Sequence, residues 1–234
     1  MRRLNLILTL TSLSVLLVTV ERFSFTTKIL LQPYNFLRLH ELVQMVFIIL
    51  FTVILPFLAL HEISDNFKLL QKKGGLLLGT LFIVGIYFYA TGNGVHEIAS
   101  FFFNNYCDTK NIVGNLCNGL FFNDYYLGNI LYFIGAALYT IVLFVLERQN
   151  PAKQFERKDK IILFINALIF SFAIFAYAAF DRVLVGLAYS IFLAIVSLGF
   201  LLTAKKDFFR LPYTMYATVC YVLATIASLI VRFR

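Results

Sequence analysis

Seven stretches of this chain carry no Asp, Glu, Lys or Arg: Leu4 to Val20, Leu42 to Leu60, Gly75 to Thr91, Tyr126 to Leu146, Ile161 to Phe180, Val183 to Ala204 and Pro212 to Val231. Each is long enough to cross a bilayer. At that depth a helix is the only single-segment solution, because it satisfies its backbone N–H and C=O groups within itself. The pattern predicts an all-α polytopic membrane bundle of about seven transmembrane helices. Short loops, without internal repeats or low-complexity linkers, predict one domain over residues 1–234.

Composition agrees with the pattern. With 61% hydrophobic residues, 14% charged residues and a mean hydropathy of +0.85, no water-soluble core could hide the apolar surface. The first run follows Arg2 and Arg3 as a signal peptide would. The residues after it, Val18 to Arg22, offer no small-x-small cleavage site, so a retained helix is expected.

The formal charge of +8 would raise the question of nucleic acid in a soluble protein. Here Lys and Arg collect in loops between apolar runs, so membrane lipids, and not nucleic acid, are the expected partner. Counting alternate loops, 13 basic residues fall on the side of the N-terminus, among them Lys72, Lys73, Arg148, Lys153, Arg157, Lys158 and Lys160, and seven on the other. That bias predicts a plasma- or inner-membrane protein with its N-terminus in the cytoplasm and its C-terminus outside.

Cys107 and Cys117 both fall in the third loop, on the side predicted to be outside, where an oxidising compartment permits a disulfide. Cys220 falls mid-span and reads as packing. Close helix approach is expected at small residues: Gly75 and Gly79 at GxxxG spacing, Gly128, Gly135 with Ala136 and Ala137, and Ala173 with Ala176. Pro56 is expected to kink the second span.

Chemistry-bearing residues gather at one membrane face. His40 and Glu41 begin the second span, and His96 and Glu97 end the third. Asp124 precedes the fourth, and Asp181 and Arg182 form a two-residue turn between the fifth and sixth. His61 and Glu62 lie at the opposite face. If the third helix continues past Thr91, then Asn93, His96, Glu97, Ser100 and Asn104 share one face, with Gly92 and Gly94 flanking Asn93. Polar groups at that depth normally face the bundle interior or water. Tyr177, one turn before Asp181, is placed to orient it.

The sharpest reading is a metal-dependent hydrolase: His40, His96, Asp124 and Asp181 holding zinc, with Glu97 or Glu41 as general base, acting on a lipid or hydrophobic small molecule. The same cluster also fits an ion or proton pathway through His96, Glu97 and Asp124. A third reading is an accessory subunit whose polar residues sit hydrated at an interface marked by Tyr34, Tyr106, Tyr125 and Tyr126. No HExxH-like ligand motif occurs. The chain resembles the zinc-dependent ceramidase and progestin-receptor superfamily, and the microbial rhodopsins, only in its number of spans. Its last run holds neither the histidine pair of the first nor the Schiff-base lysine of the second.

Overall fold

The computed structural model describes residues 1–152 and 156–234, so Lys153 lies outside the described residues. Seven helices are long and apolar enough to span a membrane. They are α1 (Arg2–Glu21), α2 (Leu39–Ile63), α3 (Gly75–Tyr106), α4 (Asn115–Gln149), α5 (Arg157–Phe180), α6 (Val185–Leu202) and α7 (Pro212–Arg232). No strand forms among the described residues; Leu30 and Arg38 make one isolated bridge. The architecture is that of a multi-pass integral membrane protein. Large apolar side chains such as Leu6, Phe51, Leu76, Ile83 and Ile195 point outward, as a bilayer permits and water would not.

Helix α3 does run on past Thr91. Its 32 residues rise to ~48 Å, well beyond a hydrocarbon layer of ~30 Å. The disulfide Cys107–Cys117, with Cα atoms 5.8 Å apart, closes the loop from α3 to α4. This end of the bundle, called the disulfide face below, gathers the ends of α1, α3, α5 and α7 and the starts of α2, α4 and α6.

The tightest seam joins α3 to α4 through two interlocked glycine pairs. A Cβ on Gly92 would lie 2.2 Å from the Tyr132 nitrogen, and one on Gly135 would lie 2.3 Å from the Tyr89 nitrogen. A Cβ on Gly85 or Gly128 would meet the partner backbone almost as closely, at 2.9 and 2.8 Å. Only residues without a Cβ let the two backbones touch in this way. The GxxxG pair foreseen at Gly75 and Gly79 makes no helix–helix contact. Gly75 sits on the Leu70 carbonyl of the preceding turn, and a Cβ on Gly79 would meet nothing closer than 4.0 Å. Spacing alone could not tell a glycine outside the seam from an interlocked one.

Polar side chains tie the remaining helices together. Ser12 of α1 donates to the Asn166 carbonyl of α5 at 2.8 Å and shares a 2.7 Å hydrogen bond with Tyr216 of α7. Glu147 accepts from the Tyr213 and Thr214 amides at 2.7 and 2.8 Å and from the Thr214 hydroxyl at 2.7 Å, capping α7 just after Pro212. Arg232 donates to the Ala178 carbonyl at 2.6 Å and also to the Asp181 carbonyl, satisfying the last turn of α5. Cys220 is fully buried against Ala167, and Pro56 lies inside α2 without ending it.

Within the described spans, two segments widen into π turns. Val43–Ile48 in α2 and Phe122–Gly128 in α4 are π-helical, each holding an extra residue in its turn. Both lie at the disulfide face. The connection from α5 to α6 comprises residues 181–184, longer than the two-residue turn expected, because the helical pattern resumes only at Val185.

Candidate functional site

The polar residues of the disulfide face line a cavity of about 510 Å³. Helix α3 contributes His96, Glu97, Ser100 and Asn104; α4 contributes Asp124, Tyr125 and Asn129; α5 and the turn after it contribute Tyr177, Asp181 and Arg182. Arg22 arrives from the end of α1, with Arg38 and His40 from the start of α2. Five helices therefore supply the walls. The continuous α3 helix puts its polar stripe on one side of that cavity, and the π turn of α4 places Asp124 opposite it.

Both imidazoles are held by carboxylates. His96 Nδ1 lies 2.8 Å from Asp124 Oδ1 and 3.1 Å from the Asp124 carbonyl. On the other side of the ring, Arg22 Nη2 lies 3.4 Å from His96 Nε2 and donates to the Tyr177 hydroxyl at 2.7 Å. A guanidinium only donates, so Nε2 is the acceptor and the ring proton sits on Nδ1, facing Asp124. His40 Nδ1 pairs with Glu21, whose carboxylate also accepts from Gln44 at 3.1 Å and from Ser24 at 3.1 Å. His40 Nε2 points toward Glu97, 3.8 Å away.

Glu97 stands apart. Its residue is 4% exposed and lines the cavity, yet among the described residues nothing hydrogen-bonds its carboxylate within the protein. Buried polar groups are normally satisfied, so such a group is either solvated from the cavity or meets a ligand there. One turn deeper, Asn93 is buried with its amide nitrogen lacking a partner. Burial also pushes the Asp181 carboxyl above the ordinary carboxylate range, although the Arg182 and Val183 amides and the nearby His96 pull it back. Asn129 donates to it at 3.3 Å.

The structure separates the expected roles. Glu41 does not line the cavity: it is 1% exposed and takes hydrogen bonds from the Arg38 amide and guanidinium. Tyr177 does not orient the Asp181 side chain. Its hydroxyl serves Arg22, and only its backbone carbonyl meets the Asp181 amide, at 3.1 Å. Asn93 is buried below the cavity and is not part of its lining. His61 packs against Phe67 at the opposite face, ring centroids 5.0 Å apart.

The zinc reading gains no support. Among the described residues no group of three or more His, Cys, Asp or Glu side chains is arranged to hold a metal ion. Asp124 supports His96 from behind, through Nδ1, and Asp181 is held by Asn129, so the four expected donors do not converge on one point. Arg22 already lies beside His96 Nε2.

Sequence reasoning gave no site role to Glu21, Arg22 or Arg38; the two arginines counted only toward the charge bias across the membrane. The available signal was their position, immediately beyond α1 and before α2, level with His40 and His96. No protein-family model, curated protein or solved structure matches this chain.

Proposed function

We propose that the cavity is a membrane-embedded acid–base site, acting on the polar group of a lipid or other membrane-partitioned substrate by transfer to water or a hydroxyl. The observation that carries this reading is the pair of carboxylate-held imidazoles, Glu21–His40 and Asp124–His96, facing one cavity with the unbonded Glu97 carboxylate between them. A carboxylate behind Nδ1 fixes the tautomer and orientation of an imidazole and stabilises its charged form. Glu97 and His40 are the groups placed to take a proton from an attacking hydroxyl and return it to a leaving oxygen. Arg22, beside His96, is placed to stabilise negative charge that develops between them.

The test is a lipidomic comparison. Protein in lipid nanodiscs is incubated with a total lipid extract, and mass spectrometry follows which lipids are consumed. The wild type should deplete at least one lipid class, and His40→Ala and Glu97→Gln should each lower that rate by about 10²-fold or more. Depletion that survives both substitutions would overturn the assignment.

A second reading, ion or proton movement, draws on one observation: below Glu97 the polar stripe continues through Asn93, whose amide lacks a partner, to Tyr89, which accepts from Tyr132 at 3.2 Å. That reading requires Glu97→Gln to abolish a proton or cation flux in liposomes. Flux absent from the wild type would remove it.

A further inference from the structure

Inside the bundle, helices α1, α2, α4, α5 and α7 leave a chamber of about 40 Å³ between them. It shares no residue with the polar cavity. Six of its twelve lining residues carry a hydroxyl: Thr11, Tyr139, Thr140, Tyr213, Tyr216 and Tyr221. The apolar cleft between α2 and α3, around Val53, Phe57 and Ile83, has none. Interior spaces that stay dry have walls of the second kind, whereas an ordered water needs roughly 10–15 Å³ and two to four polar partners. The chamber therefore has the walls for water and room for about two molecules.

The hydrogen bonds of the lining show what is missing. Ser12 has one proton and gives it to the Asn166 carbonyl at 2.8 Å, so in the 2.7 Å bond between Ser12 and Tyr216 the phenol is the donor. Tyr216 is left with lone pairs only. Thr11 likewise donates to the Ile7 carbonyl at 2.8 Å. Tyr139 is the complement: its ring packs against Phe82 and Tyr89, and among the described residues its hydroxyl has no hydrogen-bond partner. One wall thus offers a proton without an acceptor, and the others offer lone pairs without a donor. Water answers both demands at once. Pro56, which also lines the chamber, adds a further demand. It has no N–H, so the Thr52 carbonyl four residues back loses its usual helical donor, and at bilayer depth ordered water is one of the groups that satisfies such a carbonyl. A cation is a worse occupant, because no carboxylate lines the chamber to balance its charge.

We propose that the chamber is a resident water site, in which about two ordered molecules join Tyr139 of α4 to Tyr216 of α7 and Thr11 of α1 and form part of the folded bundle. The site is independent of the acid–base reading and stands whether or not the polar cavity turns over a lipid.

The test is hydroxyl-radical footprinting with short X-ray pulses on the intact protein in nanodiscs, because radicals formed from bound water oxidise the side chains beside it. Tyr216 is 2% exposed, and Tyr189, which lies outside the chamber, is 9% exposed. Solvent access alone favours Tyr189, whereas resident water should make Tyr216 the more oxidised residue by about tenfold. Ala59 also lines the chamber, and Ala59→Val, whose two added methyl groups take the place of the waters, should bring Tyr216 down to the level of Tyr189. Should that variant not fold, Tyr139→Phe removes one anchoring hydroxyl at nearly constant shape and should lower the Tyr216 signal by about fivefold. Oxidation of Tyr216 no greater than that of Tyr189, or oxidation indifferent to the substitution, overturns the proposal. So does a Tyr216 signal that falls when sodium replaces choline in the buffer, the mark of a cation in the chamber.

Discussion

Gly92 and Gly94 are separated by one residue on α3, and replacing each with alanine should give opposite results. At Gly92 the new methyl would meet the Tyr132 nitrogen at 2.2 Å, the Gly128 carbonyl oxygen at 2.6 Å and the Tyr132 Cα at 2.8 Å. All three are backbone atoms, which no rotamer change can clear. Restoring ordinary contact moves the nearest pair from 2.2 Å to at least 3.4 Å, so α3 and α4 must part. Overpacking of this kind costs ~3 kcal/mol, the upper end of the usual range, and alanine's better helix propensity returns ~1 kcal/mol, leaving ~2 kcal/mol lost. At Gly94 a Cβ meets nothing within 4 Å, so alanine keeps the propensity gain of ~1 kcal/mol. The two variants should differ by ~3 kcal/mol in a reversible detergent unfolding titration. The damage at Gly92 extends to the site, because Gly128 is packed so close to the His96 backbone that a Cβ there would lie 2.8 Å from the His96 nitrogen. His96 and Asp124 would be drawn apart. Equal stability for the two variants would refute the interlocked seam.

Three other outcomes are expected. Glu147→Ala should cost about 3 kcal/mol, since it strips partners from the buried Tyr213 and Thr214 amides; Glu147→Gln, which keeps one acceptor, should recover part of that loss in the same titration. Because burial raises the Asp181 carboxyl above its ordinary value, the folded state holds that proton more tightly than the unfolded chain. Stability from this group is therefore complete below about pH 3.8 and fades as pH climbs through the raised folded value. Asp181→Asn, which mimics the protonated form, should overtake the wild type in thermal midpoint across that window, and parallel pH curves would count against the assignment. Replacing Cys107 and Cys117 together with Ser opens a loop of sequence separation 10, which should cost about 2–3 kcal/mol and make residues 107–114 more susceptible to limited proteolysis than in the oxidised protein.

Much of this arrangement was legible in the residues. The seven charge-free runs became seven helices, the α3 stripe from His96 to Asn104 became a cavity wall while Asn93 lies below it, and the two loop cysteines paired. What stayed hidden depended on pairing in three dimensions. Glu41 and Glu97 have identical local sequence signals, each following a histidine, yet Arg38 consumes one and nothing bonds the other. Glu21 had no assigned role and Arg22 only a topological one, because one chain's pattern cannot show that the end of α1 lies beside His40 and His96. The glycines that interlock stand seven apart, Gly85 with Gly92 and Gly128 with Gly135. That spacing is two helical turns, where the usual small-residue motif searches for one.

The two π turns carry a consequence for how such a chain can change. A deletion in a plain α-helix swivels everything beyond it by ~100°, but each of these turns already holds one extra residue, so losing one from Val43–Ile48 or from Phe122–Gly128 would restore the α pattern and leave the segments on either side in phase. The lipid-facing shaft would keep its packing, while Asp124, which lies within its own π turn, would lose its place against the His96 imidazole. A single codon lost at the α4 turn therefore rewrites the mouth of the bundle while sparing its insertion into the bilayer, so that reactivity and membrane residence can diverge independently among descendants of this sequence.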